Sequence, residues 1–175
     1  MSATLFVALV PPPEAIAALE LAVDSLRERR PELGWIPADR WHVTMCFLGR
    51  AEPSDELSAR LARVAHRHEA PALQIVGGGR FGDRVLFAKL HGDLRPLATG
   101  VTRAAQRAGY QVEERPFRAH LTLARARRTK VDLRPLAAAL AAVEGPAWMA
   151  RELILLRGAQ PSYQRLDSWT LAAPG

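Results

Sequence analysis

One cysteine, Cys46, occurs in 175 residues. That excludes a disulfide framework and a thiolate metal cage. Lysine is nearly as scarce: Lys89 and Lys130 are the only two, although Lys and Arg together number 24. No apolar run approaches the ~20 residues a membrane span requires. The N-terminal run from Thr4 to Val10 is short and lacks a basic start and a small-residue cleavage site, so it reads as a strand and not as a signal peptide. Low-complexity tracts and long runs of like charge are also missing, which argues against disorder. These absences lead us to expect a soluble, cytoplasmic chain with no membrane partner, acting as a monomer.

What is present is ordinary globular composition, 49% hydrophobic and 24% charged. The length suits one domain, residues 1–175, or two small lobes sharing a core. The net charge is +6, carried almost entirely by arginine. Guanidinium forks match phosphate oxygens, which favours a nucleic-acid or nucleotide partner. An Arg-for-Lys coding bias, visible also in the abundance of Ala and Pro, produces the same skew. Charge alone decides little.

An internal repeat organises the chain. His42-Val43-Thr44-Met45 returns 78 residues later as His120-Leu121-Thr122-Leu123. Its surroundings follow. The strand pattern Thr4–Leu9 is echoed by Arg84–Leu90. A helix carrying Ile16, Leu19, Val23 and Leu26 is echoed by one carrying Leu94, Leu97 and Val101, with Asp93 as its cap and Gly109 at its end. Helices then follow each His segment, the first with Leu57, Leu61 and Val64. The second carries Leu133, Leu136, Leu140 and Val143, with Asp132 as its cap. Strands 72–76 and 153–156 close the two units, and a last strand ends at Ser168–Leu171. The order predicts an α+β fold of two interleaved, pseudo-symmetric lobes, each an antiparallel sheet with helices on its outer face. A cleft between them is the natural ligand site.

On a strand, residues i and i+2 share a face. His42 and Thr44 therefore point one way and Val43 and Met45 the other, and the second motif repeats the division. A His and a Thr on one face of an otherwise apolar strand need partners if buried and find them if the face lines a cleft. Single histidines of this kind are usually structural. Two, in register with a chain-wide repeat, suit acid–base catalysis of phosphoester transfer, one ring neutral and one charged near pH 7. The threonine hydroxyls would stabilise phosphoryl oxygens.

These motifs resemble the two His-x-Thr/Ser-x marks of the 2H phosphoesterase superfamily. Within it the chain is similar to the bacterial and archaeal RNA 2′,3′-cyclic phosphodiesterases, the LigT-like "2′-5′ RNA ligases". The likeness runs along nearly the whole chain, through Leu5–Leu9 with Pro12-Pro13-Glu14, Trp41–Gly49, Phe117–Arg125 and Tyr163. It departs at Ala119, where the family often has Pro. The resemblance implies hydrolysis of RNA 2′,3′-cyclic phosphate ends, tRNA fragments among them, to 2′-phosphates, with weak reverse 2′-5′ ligation and without metal or cofactor. It implies His42 as proton donor, His120 as proton acceptor, and Thr44, Thr122 and Arg125 near the phosphate. Phe47, at the place of Arg125 in the first motif, would stack on a base or pack in the core. Two other functions fit the same residues: a phosphodiesterase for a small cyclic-phosphate metabolite, and a non-catalytic RNA- or nucleotide-binding module.

Other candidates are weaker. His66 and His68 are two apart on a helix and face different ways, a poor metal pair, and both are expected to be exposed. His91 reads as a turn residue. Strict alternation places Cys46 on the histidine face. Gly77-Gly78-Gly79 lacks the Gly-Lys-Ser/Thr of a phosphate loop and reads as a turn or bulge.

Overall fold

The structure is a computed structural model describing residues 3–128, 130–159 and 162–175. In chain order the elements are β1 (Thr4–Leu9), α1 (Pro13–Arg29), β2 (Gly34–Trp35), β3 (Val43–Arg50), α2 (Asp55–Arg67), β4 (Ala72–Phe81), β5 (Val85–His91), α3 (Arg95–Arg107), β6 (His120–Arg125), α4 (Arg134–Ala139), β7 (Trp148–Met149), β8 (Glu152–Arg157) and β9 (Gln164–Thr170). The strands form one sheet in the order β7-β4-β5-β6-β3-β1-β8-β9, with β2 attached to β6. The α+β class expected from the repeat is what the chain adopts.

The sheet reads symmetrically about β6 and β3, and each half takes a strand from the other half of the sequence. β4, which closes the first unit in sequence, pairs with β5. β8, which closes the second, pairs with β1. The helices exchange too. Leu19, Val23 and Leu26 of α1 share a core with Leu86 and Ala88 of β5, Leu121 and Leu123 of β6 and Leu136 of α4. Leu57, Leu61 and Val64 of α2 and Leu97 and Val101 of α3 pack with Leu5 and Val7 of β1, Val43 and Met45 of β3 and Leu153 and Leu155 of β8. All four helices thereby cover one face of the sheet, and the opposite face holds a small buried cluster of Phe6, Ala8, Ile154 and Leu156.

Local sequence explains the helix starts. Ser54 caps α2, its hydroxyl accepting from the Leu57 amide at 3.1 Å. Asp93 and Asp132, expected as caps, lie one residue before the N-caps Leu94 and Leu133 and accept from the amides of Arg95 and Arg134 at 3.2 and 3.1 Å. The second helix of the second unit is shorter than its apolar spacing suggests: α4 ends at Ala139, and Val143 lies beyond it. The chain leaves the helix because its backbone finds partners on β4. The Gly77 amide donates to the Val143 carbonyl at 2.8 Å, and Val76 bridges Glu144.

β4 extends past the expected Val76 to Phe81, carrying the three glycines inside the strand. Gly77 has φ +78°, and the pairing with β5 shifts register between Ile75 and Gly78, which is the bulge expected there. Gly78 is required for packing, since a Cβ on it would lie 2.5 Å from Leu140 Cβ. Replacing Gly78 with Ala should therefore destabilise the protein by about 1–3 kcal/mol, the cost of overpacking a tight site. Denaturant unfolding measures it, and an unchanged midpoint would show that α4 moves aside freely.

Candidate active site

The segment before β3 is anchored by two indoles. Trp35 Nε1 donates to the Arg30 carbonyl at 2.8 Å, and the buried Trp41 donates to the Ile36 carbonyl at 2.9 Å. With Trp41 fixed in the core beneath α1, the next residue, His42, is turned to the uncovered face. Val43 returns to the core and Thr44 comes up again. In β6, Leu121 and Leu123 are buried while His120 and Thr122 face outward. Val43 and Leu121 are antiparallel partners across the β3–β6 seam. Continuing that register by one residue sets His42 across from Thr122 and His120 across from Thr44. The two His-x-Thr motifs thus form one diagonal array on one face.

The seam is that single residue pair. Beyond it, β2 occupies the edge of β6, pairing Gly34 with Arg125 and Trp35 with Ala124, and the Ile36 amide donates to the Leu123 carbonyl at 2.9 Å. The inserted segment 34–36 holds the two central strands apart.

Both motif strands then break their alternation in the same way. β3 shifts register against β1 between the pairs Ala8–Thr44 and Val7–Cys46, and β6 shifts against β5 between Phe87–Thr122 and Leu86–Ala124. Each bulge places two consecutive residues inward: Met45 with Cys46, and Leu123 with Ala124. Cys46 therefore does not lie on the histidine face as strict alternation implies. It is buried in the core with Met45. The third residue of each bulge comes back to the face of the threonine. These residues are Phe47, 56% exposed, and Arg125, also exposed. Core packing for Phe47 is thereby excluded.

Each histidine is held in the same fashion. His42 Nδ1 lies 2.9 Å from the Arg40 carbonyl and His120 Nδ1 lies 2.8 Å from the Arg118 carbonyl. A carbonyl only accepts, so both Nδ1 atoms carry the proton and both Nε2 atoms are left for chemistry. In the resting site His42 Nε2 accepts from the Thr44 hydroxyl at 3.0 Å.

Aromatic rings complete the support, and sequence reasoning did not assign them. The His42 ring lies 4.9 Å from Phe6 of β1 and 5.2 Å from Tyr163. The His120 ring lies 4.9 Å from Phe81 of β4 and 5.6 Å from Phe87 of β5. Arg40 adds a cation 4.4 Å above the Tyr163 ring. The one signal available was alternation, which sets Phe6 and Phe87 opposite the buried Leu5, Val7, Leu86 and Ala88. Which ring meets which histidine depends on pairing that no local pattern shows.

The remaining candidates lie elsewhere. His66 is exposed, whereas His68 is half-buried with Nδ1 2.8 Å from the Val64 carbonyl. Its orientation toward α3, and not toward solvent, corrects the expectation for it. His91 is exposed at the end of β5. Among the described residues no group of three or more His, Cys, Asp and Glu is placed to hold a metal, and no helix is long and apolar enough to cross a membrane.

Residues 11–161 match the family model described as the 2′-5′ RNA ligase superfamily. The chain belongs to that superfamily. Curated relatives include three proteins named RNA 2′,3′-cyclic phosphodiesterase. That of Thermus thermophilus is 34% identical over 95% of this chain and 89% of its own length. Those of Geobacillus stearothermophilus and Bacillus subtilis are 26% and 32% identical over 78% and 52% of this chain. The alignments span about half the length of the latter two, 47% and 54%. Among solved structures, one of a Thermus thermophilus protein superposes with a TM-score of 0.77 at 28% identity, covering 98% of this chain and 100% of its own. Escherichia coli LigT complexed with 3′-AMP gives 0.67 at 23% identity, over 98% and 99%. The nine-stranded sheet is thus the fold of the LigT-like members of the superfamily.

Burial sets the charge preference of His42 in this superfamily member. Burial pushes the His42 pKa below its ordinary 6.5; the neighbouring Arg40 and Arg125 guanidinium groups push the same way, and the Arg40 carbonyl opposes them. The folded protein therefore prefers His42 neutral, and its stability declines as pH falls through 6.5 toward the lowered value, because the unfolded chain then binds the extra proton. An anion beside the two guanidinium groups opposes that bias. In an NMR titration the His42 ring should change charge below pH 6.5 in the free protein and move upward when inorganic phosphate is added. A midpoint at or above 6.5 without phosphate would contradict this account of the site's field.

Proposed function

We propose that the protein hydrolyses 2′,3′-cyclic phosphate ends of RNA to 2′-phosphates by paired acid–base catalysis at His42 and His120. The observation that carries this reading is the array of two Nε2 atoms and two threonine hydroxyls on one uncovered face, each ring oriented by a backbone carbonyl. The Thermus relative, matched over nearly all of both chains, supports the substrate class.

In this reading His120 Nε2 removes a proton from water as the oxygen attacks phosphorus. The 3′ oxygen departs in line and takes a proton from His42 Nε2. With His120 neutral as the base, the negative phosphate seated beside Arg40 and Arg125 offsets their repulsion of a charged His42, so bound substrate favours the protonated acid. Thr44 and Thr122 donate to the non-bridging oxygens, and Arg125 balances their charge. Thr44 gives up its bond to His42 to do so. The exposed Phe47 offers a ring to the base of the terminal nucleotide. A 5′-hydroxyl in place of water would yield a 2′-5′ joint by the same proton steps, and the abundance of water favours hydrolysis.

Removing the His120 ring should lower kcat on a short RNA with a cyclic end by ~10²–10⁴-fold, the range for one positioned base. The double variant lacking both rings should lose far less than the product of the single losses, because the pair acts as a unit. His120→Ala with near-native turnover would exclude His120 as the base. The regiochemistry is a separate test. Phosphorus NMR of the product, or its resistance to a 3′-specific phosphatase, should show a 2′-phosphate alone. A 3′-phosphate would mean that the ribose is seated in the reverse sense between the same two histidines.

A further inference from the structure

The helix-covered side of the sheet carries a second concentration of positive charge. α2 and α3 enclose a groove of about 520 Å³, and its walls are two rows of arginine. Arg60, Arg63 and Arg67 recur at i, i+3 and i+7 on α2, and Arg103 and Arg107 at i and i+4 on α3, so each set forms one stripe. The floor is made by close approach of the helices at Gly100, where a Cβ would lie 2.9 Å from His68 Cε1 and 3.4 Å from Val64 Cγ1. Arg60 is offset by Glu56 at 2.9 Å. Among the described residues the other four make no ion pair with a carboxylate, and all four are exposed.

Helical surfaces normally intersperse acidic residues with basic ones, since like charges three and four residues apart repel. Here two stripes of one sign face each other, which a bound polyanion would relieve. The form of the groove argues for an extended ligand over a compact one. From Arg60 to Arg67 is a rise of about 10 Å along α2, with the guanidinium groups spread along it and not converging on one point. Guanidinium groups hold phosphate oxygens in pairs. We propose that the α2–α3 groove binds the phosphodiester backbone of RNA, on the opposite face of the sheet from the histidines and remote from the reacting end. The choice of RNA among polyanions rests on the substrate proposed above. The groove would add affinity for long substrates without entering the chemistry.

The test uses the full chain and two kinds of RNA. A fluorescent 20-nucleotide RNA without a cyclic end reports binding by anisotropy at several salt concentrations, and a dinucleotide with a cyclic end reports turnover at the histidines. The triple variant Arg63→Gln, Arg67→Gln, Arg103→Gln should bind the long RNA ~10-fold more weakly, with a salt slope shallower by about 2, as lost phosphate contacts on a single strand require. Its turnover of the dinucleotide should be unchanged. Thr99→Glu, which places a negative charge in the groove and leaves the arginines in place, should weaken RNA binding in the same direction. Unchanged RNA affinity and slope in both variants would overturn the proposal, as would binding of anionic phosphatidylserine vesicles, lost in the same variants, in place of RNA. If the dinucleotide is not hydrolysed but binding of the long RNA still falls in both variants, the groove stands and the proposed reaction fails. If the dinucleotide is hydrolysed and binding does not change, the reverse holds.

Discussion

The pairing of Val43 with Leu121 is the contact on which the rest of the architecture depends. It is the one residue pair that joins β3 to β6, and so the two halves of the sheet. Because it is antiparallel and both side chains are buried, the residues on either side of each partner must rise on the opposite face. That single constraint sets the four polar side chains of the two motifs beside one another. Because the contact is so short, the strands separate immediately beyond it, with segment 34–36 inserted against β6. A longer ladder would have closed the space a phosphate needs. A missing one would have left each histidine on its own sheet.

The paired bulges extend the same logic. Without them, period-two alternation would bring Cys46 and Ala124 to the site and bury Phe47 and Arg125. With them, a ring and a guanidinium occupy corresponding places on the two sides. The site is thus symmetric in backbone and asymmetric in chemistry, which is what the proposed reaction, with one acid, one base and one leaving oxygen, requires.

Much of this was legible in the chain. The repeat is periodic and strongly patterned, so the element order, the helix starts just after Asp93 and Asp132 and the shared face of each His and Thr could be read directly. Three kinds of feature could not. Bulges such as those at Met45 and Leu123 arise from strand pairing and leave no mark on local hydropathy. The early end of α4 reflects backbone bonds from Val143 and Glu144 to β4, a contact between distant segments. The aromatic neighbours Phe81, at the end of β4, and Tyr163, just before β9, reach the histidines from segments whose place in the sheet depends on the exchange between halves. Sequence periodicity describes one strand at a time, and each of these features belongs to two.

The exchange of β4 and β8 gives the repeat an unusual standing. Each copy is whole as a stretch of sequence, yet neither holds the partners that would cover its own apolar surfaces. The first copy's last strand lies against β5, and α1 rests on β5 and β6. A chain cut in the turn between Phe81 and Val85 would leave two pieces, each with an unpaired edge and an exposed helix stripe. If the repeat arose by doubling, the ancestral single copy would have needed a twin for its core as well as for its second histidine. Dimerisation would then have preceded fusion, with catalysis and folding sharing the same dependence on a neighbour.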